Sequence, residues 1–230
     1  MKEPLPLLTC NDIHKSFYHP EKVHLLCGIS LSVYPRESIA IMGASGEGKT
    51  TLLHILGTLE TPDQGSLQIL GKEYRKDEFP HIRNTNIGFI FQNYNLLEDF
   101  STLDNALMPA RIARKPIPKG GLIYNRGIDL LKQVGLEERA HFPAKILSGG
   151  ERQRVTIARS LCNDPEIILA DEPSGNLDHE NSRQVHELLL TCVKKMNKSL
   201  IIVTHDKKLA SLCDHRYLLQ SGKLTPMDPS

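Results

Sequence analysis

Several things are scarce in this 230-residue chain, beginning with tryptophan, which is absent, and aromatic residues generally, which make up 5% beside a hydrophobic content of 40%. That balance is ordinary for a soluble α/β protein. No excess of one charge is present either: 28 Lys+Arg against 27 Asp+Glu leave a formal net charge of +1, so no global field recommends nucleic acid or an anionic membrane as the partner. Apolar runs stay well below the roughly 18 consecutive residues of a spanning helix, and the chain is not expected to cross a bilayer. The start, MKEPLPLLTC, only faintly suggests a lipoprotein signal ending at Cys10. Its apolar stretch is far shorter than an h-region of roughly 7–15 residues and is broken by Pro4 and Pro6, so it reads as a plain cytoplasmic N-terminus.

Cysteine is sparse and scattered. Cys10, Cys27, Cys162, Cys192 and Cys213 are odd in number and never in C-x-x-C spacing, which speaks against a disulfide framework and against a zinc site. Reduced, mostly buried thiols are expected. Internal repeats, heptads and long linkers are absent as well, and the length suits one α/β domain carrying a smaller inserted subdomain.

What is present alternates. Ser38–Met42 is a short β-branched apolar run leading through a glycine-rich turn into Thr51–Leu56, which has helical character. Glu166–Ala170 and Ser199–Val203 read as two further buried strands with the helix-patterned stretch Ser182–Lys195 between them, and such alternation predicts a parallel sheet covered by helices. The residues before 40 and the stretch Gly65–Lys72 alternate and turn like antiparallel strands, predicting a small β layer beside the main sheet. Between about Asn95 and Lys145 the pattern becomes helical, interrupted by the basic, Pro- and Gly-containing piece Arg114–Gly121, which reads as an exposed loop. The organisation expected is a nucleotide-binding core over about 1–92 and 146–230 with a helical subdomain over about 93–145.

GASGEGKT, residues 43–50, fits G-x-x-x-x-G-K-[ST] between a predicted strand and helix. Backbone N–H groups of Gly43, Ala44, Ser45, Gly46, Glu47 and Gly48, together with the positive pole of the helix that Thr51 enters, would face the phosphates of a nucleotide. Lys49 would reach the β- and γ-phosphates and the Thr50 hydroxyl would ligate Mg²⁺. Asp171 follows an apolar strand, where its carboxylate can hold Mg²⁺ through water; Glu172, next to it, can polarise an attacking water. Taken alone, an Asp-Glu pair at such a place is usually a turn or an N-cap, and partnership with the phosphate loop reverses that reading. His205, in Thr204-His205-Asp206, can bond the γ-phosphate and hold the water in line with Glu172. Gln92 follows another apolar run, where its amide could reach the metal or the water, with an ordinary surface glutamine as the competing reading. Phe17 or Tyr18 could stack on adenine, with core packing as the competing reading.

LSGGERQR, residues 147–154, reads as a second anion nest: Ser148, Gly149, Gly150 and Glu151 stand at the start of a predicted helix, Glu151–Cys162, with little side chain in the way. A loop that already surrounds one nucleotide needs no second nest. The economical expectation is that this one serves the γ-phosphate held by another copy of the chain, and that the other copy reciprocates under a twofold axis.

Together these elements resemble the ATP-binding-cassette ATPases over nearly the whole chain. The resemblance implies ATP hydrolysis with Mg²⁺ held by Thr50, Gln92 and Asp171. It also implies catalytic roles for Glu172, His205 and Gln92, and a dimer-crossing loop of Ser174, Gly175, Asn176, Leu177 and Asp178. A homodimer docked beneath a separate membrane permease, at the cytoplasmic face of the inner membrane, follows from it too. Asp171–Asp178, Leu52–Gly57, Asn95–Phe100 and Met108-Pro109 look most like the lipoprotein-releasing branch, with macrolide-type peptide or drug exporters as the alternative. A soluble DNA-repair or ribosomal cassette would carry long insertions that are not visible here. An ordinary phosphate-loop kinase or GTPase would leave 147–154 unexplained. Three departures stand out: Glu47 occupies a loop position that is usually small, Thr50 replaces the commoner serine, and Phe17 stands where tyrosine is usual at the adenine-stacking position, which leaves Phe17 and Tyr18 unranked.

Overall fold

The computed structural model describes residues 5–18 and 22–227; the first four residues of the N-terminal stretch weighed above lie outside it. β1 (Leu8–Tyr18) and β2 (Lys22–Val33) form a long antiparallel pair. β3 (Ser38–Met42) leads through the glycine-rich turn into α1 (Lys49–Leu56), and β4 (Gln64–Ile69) turns back on the short β5 (Lys72–Glu73). Then come α2 (Phe79–Thr85), β6 (Ile87–Ile90), α3 (Thr102–Ala106), α4 (Met108–Ile112), α5 (Leu122–Gln133) and α6 (Gly149–Ser160). The C-terminal third contains β7 (Ile167–Asp171), α7 (His179–Met196), β8 (Ser199–Val203), α8 (Lys207–Ser211), β9 (His215–Gln220) and β10 (Lys223–Pro226).

The strands form two sheets. A four-stranded antiparallel layer runs β2-β1-β4-β5, and a six-stranded sheet runs β10-β9-β3-β8-β7-β6, parallel except at the β10 edge. In the large sheet, side chains alternate between two cores. Ile39 and Ile41, Ile167 and Leu169, and Ile201 and Val203 face α1 and the antiparallel layer. Ala40, Ile168, Ala170, Leu200 and Ile202 face α6, α7 and the helices before them. Burial on both faces is why these strands read as unbroken apolar runs rather than as alternating ones.

Helix starts differ from the sequence pattern for a definite reason. α7 begins at His179 rather than Ser182 because the Asp178 carboxylate caps it, accepting from the Asn181 N–H at 2.9 Å. α6 begins at Gly149 because Ser148 caps it. Polar caps and glycines hide the first turn from a hydrophobic-periodicity reading.

A larger difference concerns residues 95–101, expected to be helical. They form an irregular turn, organised by the side chain of Asn105 in α3, which is 1% exposed. Its amide donates to the carbonyls of Leu97 and Ser101, both at 3.0 Å, and its oxygen accepts from the Leu97 N–H at 2.8 Å. A buried side chain that satisfies local backbone groups in a non-helical arrangement competes directly with the helix. Arg126 of α5 performs a similar service at the other end of α6, donating to the carbonyls of Leu161 and Cys162. Replacing Asn105 by alanine removes partners from buried backbone groups and is expected to cost about 2–3 kcal/mol, read as a lowered urea midpoint with an unchanged m-value.

Candidate active site at the carboxyl edge of the sheet

The large sheet ends its parallel strands along one edge, in the spatial order β3, β8, β7, β6. The loops that leave those ends carry residues 43–48, Thr204 to Asp206, Glu172 and Gln92, in that order. Ligand sites of open α/β sheets lie along this edge.

At the end of β3, Gly48 takes φ 95°, a conformation open to glycine, and passes directly into α1, whose first turn has no side-chain cap and no acidic residue. The first N–H groups of that helix are therefore available to an anion. Lys49 is 9% exposed, and its ammonium donates to the carbonyls of Gly43 and Ala44, each at 2.9 Å. Ala44, Ser45 and Gly46 are exposed along the loop, and Thr51 is half-buried behind it. Glu47 adds a negative charge to a loop whose neighbouring N–H groups favour an anion. Its carboxylate, however, accepts from the Ser221 N–H at 2.6 Å, which fixes it to the turn between β9 and β10.

Asp171 and Glu172 leave β7 in different environments. Asp171 is 5% exposed and accepts from the Thr50 hydroxyl at 3.2 Å. Burial raises its pKa above the ordinary carboxylate value; the Thr50 hydrogen bond, His54 and Lys49 oppose the rise, and Glu172 adds to it. Glu172 sits in the left-handed backbone region at φ 42°, an uncommon place for a non-glycine residue that costs on the order of 1–3 kcal/mol. Its N–H donates to the Val203 carbonyl at 2.9 Å, so the β7–β8 ladder imposes that conformation. The side chain is drawn to the end of β8: Oε2 accepts from the Thr204 hydroxyl at 3.2 Å and the His205 N–H at 3.3 Å, and lies 2.9 Å from His205 Nδ1. A carboxylate can only accept, so Nδ1 carries the proton in this contact.

Thus the structure brings together Lys49, Thr50, Asp171, Glu172 and His205. It adds Thr204, which the sequence reading quoted without a role. Thr204 is 1% exposed, and its hydroxyl both donates to Glu172 and accepts from the Asp206 N–H at 3.0 Å. A neutral side chain at a strand end gives no signal until β7 and β8 are known to be neighbours. Gln92 is exposed just beyond β6. Phe17 and Tyr18, at the end of β1, are 44% and 74% exposed, which removes core packing as their role. Lys15 lies 5.3 Å from the Phe17 ring centre and Lys22 lies 5.8 Å from that of Tyr18.

The stretch 147–154 forms a different cluster. Ser148 and Glu151 close a reciprocal cap: the serine hydroxyl accepts from the Glu151 N–H at 3.2 Å, and the glutamate accepts from the Ser148 N–H at 2.8 Å. Partial burial opposes ionisation of Glu151, but these Ser148 hydrogen bonds, with Arg139 and Arg154 nearby, outweigh it and hold the carboxyl below its usual range. Such a cap leaves the first two helical N–H groups, those of Gly149 and Gly150, without intrahelical partners. Gly149 lies under Leu177 and the Tyr94 hydroxyl, and Gly150 packs so closely on Asn181 of α7 that a Cβ would collide with it. The second glycine therefore serves packing as well as any nest. Ser174 and Leu177 are buried and half-buried, whereas Gly175, Asn176 and Asp178 are exposed on the same face. Among the described residues, no hydrogen bond or ion pair joins 43–50 to 147–154.

Comparison with known proteins gives a consistent result. The sequence pattern of the family described as ABC transporter matches residues 26–175. The lipoprotein-releasing system ATP-binding protein LolD of Protochlamydia amoebophila is 54% identical over 218 residues, spanning 95% of this chain and 96% of its own length. The LolD of Pseudomonas fluorescens is 43% identical over 95% of this chain and 96% of its own length. In three dimensions the chain resembles the ATP-binding cassette MJ0796, solved as a dimer in a post-hydrolysis state bound to ADP and Pi: TM-score 0.88, 31% identity, covering 97% of this chain and 99% of that one.

The buried Asp171 yields a prediction of known sign. A carboxyl whose pKa is raised by folding binds its proton more tightly in the folded chain, so its ionisation lowers stability as pH rises from the ordinary carboxylate range through the raised value. Asp171→Asn is expected to raise the melting temperature of the nucleotide-free chain near pH 7, with the gain shrinking as pH falls toward that range, as followed by circular dichroism.

Proposed function

The chain belongs to the ABC transporter family, and on that footing we propose that it is the ATP-hydrolysing subunit of a lipoprotein-releasing transporter. Two copies would work together beneath separate membrane-spanning subunits at the cytoplasmic face of the inner membrane. One observation supports the shared-site part of this reading: the first N–H groups of α1 and of α6 have no intrahelical partner, and no hydrogen bond or ion pair among the described residues joins the two helix starts. A second copy related by a twofold axis would bring each α6 terminus to the other copy's phosphate loop. The loop 174–178, which touches the α6 terminus through Leu177, would then lie in the same interface.

In this arrangement ATP is the substrate. Its phosphates replace the carbonyls of Gly43 and Ala44 as partners of Lys49 and take up the free N–H groups of the loop and α1. The side-by-side oxygens of Thr50 and Asp171 fit Mg²⁺, a hard ion that takes one or two protein oxygens and completes its shell with phosphate and water. No group of three or more His, Cys, Asp or Glu side chains among the described residues forms a separate cage. Thr50, Asp171 and Gln92 would hold the ion, whose contribution is to neutralise charge on the phosphate oxygens. Glu172 accepts a proton from the attacking water, and His205, oriented by that same carboxylate, aligns the γ-phosphate. General base assistance of this kind is worth about 10²–10⁴-fold.

Energy for transport would come from closing the pair. A ligand present at about 100 times its Kd and bound only by the closed state contributes about 2.7 kcal/mol, so two ATP molecules weight closure strongly. An apolar groove of about 380 Å³, lined by Phe89, Phe91, Met108, Pro109 and Ile112, opens next to Gln92, and we assign it to a helix of the membrane-spanning partner. Phe89 and Phe91 stack at 5.3 Å to form its floor. Among the described residues no helix is long and apolar enough to cross a membrane, so the membrane-spanning role falls to that partner.

Mixing two inactive variants tests the shared site. Lys49→Ala and Ser148→Arg each disable every site in a pure population, but a mixed pair carries one site in which both contributions are intact. Recovery of ATP turnover on mixing is expected; a mixture as inactive as its components refutes the trans arrangement. Separately, Glu172→Gln is expected to lower turnover by at least about 10²-fold and to hold an ATP-bound dimer on size exclusion.

A further inference from the structure

α7 carries a histidine that none of the roles above uses. His186 is 7% exposed, and its Nε2 lies 2.9 Å from the Ser174 hydroxyl and 3.7 Å from Asp206 Oδ2. Each contact leads to a different part of the site. Ser174, itself 7% exposed, opens the loop 174–178 two residues after Glu172. Asp206 follows His205; its other carboxylate oxygen caps α8, accepting from the N–H groups of Lys208 at 2.7 Å and Leu209 at 3.2 Å. Its own N–H donates to Thr204, whose hydroxyl donates to Glu172. One imidazole therefore stands between the loop that leads away from Glu172 and the turn that holds the Glu172 carboxylate.

The chemistry of the contact is directional. The hydrogen bond at 2.9 Å joins Nε2 to Ser174 Oγ; Asp206 Oδ2, at 3.7 Å, is beyond hydrogen-bond reach, and its negative charge favours an N–H on the nitrogen that faces it. Burial lowers the His186 pKa; Asp206 opposes that, and the exposed His179, about two turns back along α7, adds to it, so the ring is neutral near pH 7. A buried imidazole hydrogen-bonded to Ser174 and packed beside the Asp206 carboxylate fixes the separation of the elements that supply them. These contacts line the wall of a cavity of about 940 Å³ that also reaches Glu172, His205 and Gly175.

We propose that His186 is a positioning residue for ATP hydrolysis, joining Ser174 to Asp206 so that the loop 174–178 and the Thr204-His205-Asp206 turn move as one body. The inference rests on the shared-site reading in one respect: docking of a second copy against 174–178 is what would be transmitted through Ser174 and His186 to the turn that aims Glu172. Without that link the loop could settle in the interface while Glu172 and His205 remained free to drift from the line of attack. A small misplacement of such groups costs turnover far more than it costs nucleotide binding.

The test uses the full chain with Mg-ATP. His186→Phe keeps bulk and burial but removes the N–H; it is expected to lower kcat about tenfold while nucleotide affinity stays within about twofold of the parent. His186→Gln restores a donor at nearly the same reach and is expected to recover most of the rate. Ser174→Ala should match the phenylalanine variant, and the double variant should be no slower than either, because both remove one link. Turnover unchanged in His186→Phe overturns the proposal, as does glutamine remaining as slow as phenylalanine in an equally stable fold, or single defects that multiply in the double variant. If phenylalanine prevents folding, Ser174→Ala and His186→Gln carry the comparison, and parental turnover in Ser174→Ala is then the refuting result. Failure of the shared-site reading shows separately, as the absence of an ATP-bound dimer in Glu172→Gln alone.

Discussion

Two hydrogen bonds beyond the ends of the parallel strands hold the reactive edge of this protein in place. The Glu172 N–H donates to the Val203 carbonyl at 2.9 Å and the Thr204 N–H to the Ile41 carbonyl at 3.1 Å, which continues the ladders of β7 on β8 and of β8 on β3. Because the strands are buried on both faces, no water competes for these groups, and register cannot slip without turning Ile39, Ile41, Ile201 and Val203 out of their core. The left-handed backbone at Glu172 is a consequence: the ladder fixes its N–H, and the Thr204 and His205 contacts fix its carboxylate. A conformation that would relax in isolation is over-determined here.

The same edge is electrostatically unfinished. Asp171 is buried with its pKa raised, Lys49 leans on two carbonyls of its own loop, and the first turn of α1 has no cap. Each group has a makeshift partner or none, and a polyphosphate with its cation would answer all three together. The α6 terminus contrasts with this. Its reciprocal Ser148–Glu151 cap makes it a stable helix start without ligand, while the N–H groups of the exposed Gly149 and the buried Gly150 have no intrahelical partner. A permanently built donor pole at the surface fits an element that is offered to another molecule more than one that must wrap its own nucleotide.

How much of this could be read from the chain depended on the range of the interaction. The strands 38–42 and 199–203 were legible because continuous β-branched runs report burial on both faces. The phosphate loop was legible because its glycines, lysine and threonine act within eight consecutive positions. The turn at 95–101 was not, since its fate was decided by one amide at Asn105 that looks like any polar helix residue. Gly150 read as part of a nest, and its collision with Asn181 appeared only once α6 lay against α7. Glu47 looked like an anomaly until Ser221, far along the chain, supplied its partner.

Sequence alone determined that a phosphate loop, a strand-end pair of acids and a second glycine-rich helix start exist, because each is a local pattern whose chemistry follows from neighbouring residues. It could also imply two copies, since one chain had one nest too many. Only the tertiary structure decided which of these meet within a single chain. Strand order set Lys49, Thr50, Asp171, Glu172, Thr204 and His205 along one edge, and left 147–154 with no hydrogen bond or ion pair to the phosphate loop among the described residues. The physical reason is that hydrogen-bond ladders and side-chain packing join residues by distance in space, and no pattern along the chain records which strand will lie beside which.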